Sequence, residues 1–68
     1  MSFYQYLKTI ISPKRTEKQN VVHAMIDDLA FPKQSTDYLE ITTYLEDNAF
    51  YINDMTIFDE LWDEFINK

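Results

Sequence analysis

Apolar residues recur along this chain at intervals of three and four positions, a spacing typical of helices that bury one face. Four such stretches follow one another. The first predicts a helix from Ser2 to Ile11. Ser2-x-x-Gln5 has the spacing of a capping box, and the proline after Ser12 prevents the helix from continuing. Its predicted inward residues are Phe3, Leu7, Ile10 and Ile11, with Tyr6 at the edge.

The second stretch predicts a helix that begins at Thr16 and ends at Phe31-Pro32. Thr16-x-x-Gln19 repeats the capping-box spacing, and the residue before a proline is disfavoured in helical geometry. The predicted inward residues are Val21, Val22, Met25, Ile26 and Leu29.

The third stretch predicts a helix that begins within residues 35–37, all of which are capping residue types, and ends at Asp47-Asn48. Asn48 can take the left-handed conformation that glycine usually supplies after a helix. The predicted inward residues are Tyr38, Ile41, Tyr44 and Leu45.

Residues 49–53 contain consecutive apolar side chains that fit no single period, which predicts a packed connector with room for one helical turn. The last helix is predicted from Thr56, because Thr56-x-x-Asp59 again has capping spacing. Four short helices with short links predict an all-α fold, a compact bundle over residues 1–68 as one small domain. The predicted inward residues of the last helix are Ile57, Phe58, Leu61, Trp62 and Phe65.

The amino-acid composition excludes several classes of functional site. The chain has 68 residues, no glycine and no cysteine, which excludes P-loops, dinucleotide fingerprints, EF-hand loops, disulfides and thiolate zinc sites. So short a chain has little room for a deep catalytic cleft. We therefore expect no enzyme activity, no cofactor, no bound metal and no small-molecule substrate. The sequence has no apolar run of membrane length and no recognisable targeting segment, so we expect a cytoplasmic location without membrane contact.

Charge is distributed unevenly along the chain, whose net charge is -6. The first 20 residues carry four cations and one acid, whereas the remaining 48 carry eleven acids and two cations. This pattern predicts a bipolar surface with a basic N-terminal part and an acidic C-terminal part.

The last helix concentrates the acidic charge. Asp59 with Asp63, and Glu60 with Glu64, are like-charge pairs one helical turn apart, each unfavourable by about 0.2–0.5 kcal/mol in an isolated helix. The second member of each pair lies towards the negative end of the helix dipole, where Lys68 is the nearby cation. Solubility is one reason for such a face. The other is a basic partner, which makes Asp59, Glu60, Asp63 and Glu64 a candidate partner face, whether that partner is another protein or a second copy of the chain.

The basic residues offer a different hypothesis, weak nucleic-acid binding. Lys33 precedes Ser35 and Thr36 just before a predicted helix N-terminus, where an anion such as a phosphate can bind. Few cations on an acidic chain predict weak, strongly salt-dependent binding, so the net charge disfavours this hypothesis. The candidate phosphate contacts are Lys14, Arg15, Lys18 and Lys33, with Lys8 as a further cation.

His23 is the only histidine, and its ordinary partner would be Asp27, one turn further along the helix. It has no second catalytic group at a recognisable spacing.

A third binding hypothesis is that the acidic face imitates nucleic acid and occupies a DNA-binding protein.

Several blocks of this sequence resemble the YozE-like family of short, functionally uncharacterised proteins of Gram-positive bacteria, and together they span nearly the whole chain. The blocks are Ser2-Phe3-Tyr4-x-Tyr6-Leu7, Phe31-Pro32-Lys33-x-Ser35-Thr36-Asp37-Tyr38, Tyr44-Leu45-Glu46 and Phe58-Asp59-x-x-Trp62-Asp63.

The resemblance implies a helical fold similar to sterile alpha motif (SAM) domains, which are usually non-catalytic binding modules, and it supplies no established site. The prediction is therefore a protein–protein interaction module, with nucleic-acid binding as the alternative. Phe31, Pro32, Tyr38 and Trp62 are expected to hold the fold.

Overall fold

The computed structural model describes residues 1–48 and 50–67. These residues form four helices and no strand, which confirms the predicted all-α fold. None of the described helices is long and apolar enough to cross a membrane. The helices are α1 (Phe3–Ile10), α2 (Glu17–Asp27), α3 (Tyr38–Asn48) and α4 (Met55–Ile66).

The first two helices begin at the predicted caps. Ser2 Oγ accepts the Gln5 backbone N–H at 3.2 Å, and the Ser2 N–H donates to Gln5 Oε1 at 2.9 Å, which completes the capping box. Thr16 Oγ1 accepts the backbone N–H of Gln19 at 3.1 Å. The Gln19 side chain does not return to Thr16. It bonds the Ser12 N–H at 2.8 Å and the Ile10 carbonyl at 3.0 Å, and thereby fixes the end of α1 against α2.

The second helix is shorter than predicted. It ends at Asp27, before Phe31-Pro32, because the Asp28 carboxylate accepts the Ala30 N–H at 3.0 Å and turns the chain out of the helix. The predicted inward position of Leu29 is therefore wrong, and its side chain is 88% exposed.

Two further predictions about helix ends are wrong. Asp54 rather than Thr56 caps α4, and its Oδ1 accepts the Thr56 N–H at 2.9 Å. Asn48 is the last residue of α3, and no described residue has a positive φ, so Asn48 is not left-handed. Its side chain instead donates to the Tyr44 carbonyl at 3.2 Å. Ala49, the first residue of the predicted connector, lies outside the described residues, and residues 50–54 contain turns rather than a helix.

Aromatic rings fill the centre of the bundle. Phe3 is fully buried, and its ring centroid lies 5.4 Å from Trp62, 5.5 Å from Phe58 and 5.6 Å from Phe65. Phe31 adds a further ring at 6.5 Å from Phe3, which brings the α2–α3 loop into the core. The other members of the buried core are Leu7, Val21, Val22, Met25, Ile41, Leu45 and Leu61.

The start of α1 is tied to the α2–α3 loop by two hydrogen bonds. Ser2 Oγ donates to the Lys33 carbonyl at 2.7 Å, and the Phe3 N–H donates to the Ser35 carbonyl at 3.3 Å. These bonds fix the position of the loop residues relative to the exposed face of α1.

Candidate interaction surfaces

The four acidic residues of the candidate partner face are all exposed on α4. One of them is compensated: Glu64 forms an ion pair with Lys18 of α2. The side chains are 35% (Lys18) and 42% (Glu64) exposed, so solvent screens the pair and its contribution is below about 1 kcal/mol. The remaining three, Asp59, Glu60 and Asp63, are called the acidic row below.

The Lys18–Glu64 pair changes the interpretation of the charge pattern. It joins a cation of the predicted basic segment to an acid of the predicted acidic helix. The two charged regions are therefore adjacent at this point, and Lys18 is engaged rather than available as a phosphate contact. No local spacing indicates this pair, because its members lie on different helices.

A tyrosine borders the acidic row. The Tyr38 hydroxyl donates to Asp59 Oδ1 at 2.7 Å, and this hydrogen bond raises the pKa of Tyr38 above its ordinary value. The Tyr38 ring stacks on Phe58 with 5.4 Å between centroids and meets Trp62 edge-on at the same distance. The predicted inward position of Tyr38 is only partly right. The residue is 41% exposed, because packing one side of the ring on Phe58 still lets the hydroxyl reach Asp59 near the surface.

The rest of the acidic row meets no cation within the described chain. Asp63 Oδ1 accepts the Asn67 side-chain amide at 2.9 Å, and the Asp63 carbonyl accepts the Asn67 N–H at 3.1 Å. Glu60 is exposed. Lys68, the cation that the sequence suggested for this end of the helix, lies outside the described residues. The three carboxylates are therefore exposed and form no ion pair with any cation of residues 1–48 and 50–67.

Two of the candidate phosphate contacts, Lys14 and Arg15, line a shallow depression together with Asn20 and His23. The His23 ring nitrogen Nε2 is 2.7 Å from the Ser12 carbonyl oxygen, so His23 bonds the start of the α1–α2 connection rather than the predicted Asp27. This histidine therefore has a structural partner.

The predicted anion site of Lys33, Ser35 and Thr36 before the N-terminus of α3 is only partly formed. Ser35 is buried, and its Oγ accepts the Asp37 N–H at 3.1 Å, so the serine does not face an external anion. Asp37 Oδ1 accepts the Leu39 N–H at 3.0 Å and places a carboxylate at the start of α3, where it would repel a phosphate. Thr36 does line a depression with Lys33, but that depression opens beside α1.

The partners of Lys33 on this side are Tyr4 and Lys8. The Nζ atoms of Lys8 and Lys33 lie 5.6 and 5.7 Å from the centroid of the Tyr4 ring. Sequence reasoning included both lysines among the cations but did not bring them together. Tyr4 and Lys8 are one helical turn apart, which is a usable signal, whereas nothing local places Lys33 beside them.

Sequence reasoning also missed a carboxylate that joins three segments. Asp28 Oδ2 accepts the hydroxyls of Tyr44 at 2.6 Å and Tyr51 at 3.0 Å. Burial alone would raise the pKa of Asp28, but the hydrogen bonds from Tyr44, the Ala30 N–H and Tyr51 together hold it below its ordinary value. The bond to Asp28 raises the pKa of Tyr44 to about 12, and burial together with the same carboxylate raises the pKa of Tyr51. With its oxygens occupied by these donors, Asp28 has a structural role.

Within residues 1–48 and 50–67, no three histidine or carboxylate side chains come close enough together to hold a metal ion.

Comparison with known proteins gives a consistent result over almost the full length. The family described as the YozE SAM-like fold matches residues 2–67. A UPF0346 protein of Enterococcus faecalis is 43% identical over 67 residues, which cover 98% of this chain and 93% of that protein. The UPF0346 protein YozE of Bacillus subtilis is 45% identical over 65 residues, covering 94% and 88%. A UPF0346 protein of Limosilactobacillus reuteri is 46% identical over 68 residues, covering 98% and 93%.

Proposed function

The chain belongs to the YozE SAM-like fold family, as its sequence blocks indicated, and on that basis we propose that it is a non-catalytic protein–protein interaction module. In this proposal the acidic row of α4 binds a basic surface on another protein. The binding role that a SAM-like fold implies supports the proposal at the level of fold.

The observation that carries the proposal is that no cation among residues 1–48 and 50–67 forms an ion pair with the acidic row. Asp59 and Asp63 repel each other one turn apart, at a cost of about 0.2–0.5 kcal/mol, and Asp63 also lies in the half of α4 where the helix dipole is negative. Within the described chain, the acidic row receives hydrogen bonds from Tyr38 and Asn67 but no cation. Lysine or arginine residues of a partner would relieve both unfavourable terms.

The side chains beside the acidic row also suit a protein partner. Tyr38 is partly exposed and rests on Phe58 and Trp62, so its orientation is fixed before binding. Tyrosine and tryptophan are enriched at protein interfaces, since they add large contact area with little loss of conformational freedom.

The proposal is tested by capture on the immobilised chain, comparing the wild type with Asp59→Asn/Glu60→Gln/Asp63→Asn. Glu64 is left unchanged so that its pair with Lys18 survives. The matched control is Glu40→Gln/Glu46→Gln/Asp47→Asn, which removes the same charge from three exposed acids of α3. Proteins retained from a lysate of the source organism are identified and quantified at low and high salt.

We expect the wild type and the α3 control to retain the same basic proteins at low salt and to release them at high salt. The α4 variant is expected to lose them while keeping its helical circular dichroism. Equal retention by all three chains, or no specific retention by the wild type, would contradict the proposal.

A further inference from the structure

The surface beside α1 contains a depression that brings two cations to one aromatic ring. It is lined by Tyr4, Lys8 and Lys33 together with the polar side chains of Gln5, Gln34 and Thr36. No acidic residue lines it, although the chain has twelve acids and six lysines and arginines. We call it the Tyr4 depression.

The Tyr4 depression is held in place from both sides. The hydroxyl of Tyr4 donates to the Ile26 carbonyl at 3.4 Å, and its ring lies 6.1 Å from the ring of Phe31. The loop that carries Lys33 is fixed by the bond from Ser2 Oγ to the Lys33 carbonyl. The ring and both lysine backbones therefore have defined positions before any ligand arrives.

The two ammonium groups have unused binding capacity. Each lies near the face of Tyr4, and neither forms an ion pair within the described chain. Against the effect of burial, the hydrogen bonds from Tyr44, Ala30 and Tyr51, and to a lesser extent the charge of Lys33, lower the pKa of Asp28. The oxygens of Asp28 are already occupied by these three hydrogen bonds. An exposed cation–π contact is weaker than a charge-assisted hydrogen bond to phosphate, so a phosphate would draw both amines away from the ring.

We propose that the Tyr4 depression binds a nucleotide, with Lys8 and Lys33 on its phosphate and the ring of Tyr4 beneath its base. Movement of the amines to the phosphate uncovers the ring face, which can then stack on the base. Gln5, Gln34 and Thr36 supply donors and acceptors at the margin. This site shares no residue with the acidic row, so failure of the proposed protein interaction would not affect this proposal.

The chemistry is the same for a free nucleotide and for one unit of a single strand, and the experiment separates the two sources. Amide chemical shifts of the isotope-labelled chain are followed by NMR during titration with inorganic phosphate, with adenosine monophosphate and with a short thymidine oligonucleotide, at about 50 mM salt. Neutralising one phosphate of a strand predicts roughly a 3-fold loss of affinity between about 50 and about 200 mM salt.

The variant Lys8→Gln/Lys33→Gln is compared with Lys14→Gln/Arg15→Gln, which removes the same charge from the separate depression that also contains Asn20 and His23. We expect nucleotide to shift the amides of Gln5, Gln34 and Thr36. Affinity should fall about 10-fold or more in the first variant and less than about 3-fold in the second. All of these side chains are exposed, and an unchanged spectrum in the absence of ligand verifies the fold.

Binding of the mononucleotide at these residues supports a free nucleotide as ligand, and binding of the oligonucleotide alone supports a single strand. Three outcomes would overturn the proposal: no shift with either nucleotide ligand, inorganic phosphate binding as tightly as both, or shifts centred on Asn20 and His23 that disappear only in the Lys14→Gln/Arg15→Gln variant.

Discussion

Replacing Phe3 with alanine is the sharpest test of how this small bundle is held together. Phe3 is fully buried at the meeting point of four other aromatic rings, those of Phe31, Phe58, Trp62 and Phe65. Its removal leaves a cavity that α1 and α4 cannot easily close, because both helices are also fixed by other contacts at their ends.

The magnitude follows from burial and chain length. A buried phenylalanine replaced by alanine costs about 3–5 kcal/mol. At about 0.05–0.15 kcal/mol per residue, a chain of 68 residues has a free energy of unfolding of about 3–10 kcal/mol. The Phe3→Ala chain is therefore expected to lose between a third and all of its stability.

The chain provides a matched control in Phe50, whose side chain is 93% exposed. Phe50→Ala removes the same atoms and should change the free energy of unfolding by less than about 0.5 kcal/mol. Urea unfolding followed by far-ultraviolet circular dichroism measures both variants. Phe3→Leu, which keeps most of the buried volume, gives a measurable intermediate value if Phe3→Ala is already unfolded in water.

Two results would refute this reasoning. One is a loss of less than about 1 kcal/mol in Phe3→Ala, which would mean that the site collapses around the smaller side chain. The other is a Phe50→Ala variant destabilised as much as Phe3→Ala, which would mean that Phe50 packs in solution.

Two further predictions concern single polar groups. The Thr42 hydroxyl is buried and forms no hydrogen bond of ordinary geometry, although the Tyr38 hydroxyl lies near it. Thr42→Val should therefore raise the free energy of unfolding by about 1 kcal/mol, and a loss of stability in urea would show that the hydroxyl is bonded. The bond to Asp28 raises the pKa of Tyr44 from its ordinary value of 10.0 to about 12, so the stabilisation from this bond is fully present below pH 10 and should be lost as pH rises towards 12. Over that interval, the urea midpoint of Tyr44→Phe should therefore fall less steeply with pH than the midpoint of the wild type. Identical slopes for the two chains would count against the assignment.

The sequence predicted those features of the fold that depend on neighbouring residues. The caps at Ser2 and Thr16 are local hydrogen bonds over three positions, and the spacing that predicts them is also the spacing that makes them. The four helices follow for the same reason, since each buries a face whose period is visible along the chain.

Helix ends were less predictable where two residues compete. Asp54 and Thr56 are both capping residue types, and only the path of the connector decides that Asp54 is used. Similarly, Phe31-Pro32 sets the furthest point at which α2 can end, but the side chain of Asp28 ends it earlier.

The candidate sites depended most on the tertiary structure. The acidic residues of α4 were visible in the sequence, but the engagement of Glu64 by Lys18 joins two helices. The position of Lys33 over Tyr4 likewise depends on the bond between Ser2 and the α2–α3 loop. Sequence reasoning therefore identified which residues carry charge but not which charges are already paired.

The absence of positive φ angles among the described residues, in a chain without glycine, has a consequence for attempts to engineer this protein. Replacing glycine with alanine commonly gains about 0.4–1 kcal/mol by restricting the unfolded chain, and here that gain is already built in at every position. The loop residues within 1–48 and 50–67 also impose no left-handed geometry that would restrict which amino acids they accept. Engineers seeking a more thermostable variant must therefore turn to proline substitutions in the loops, or to surface charge, and can vary the exposed loop residues among the described ones without left-handed backbone strain.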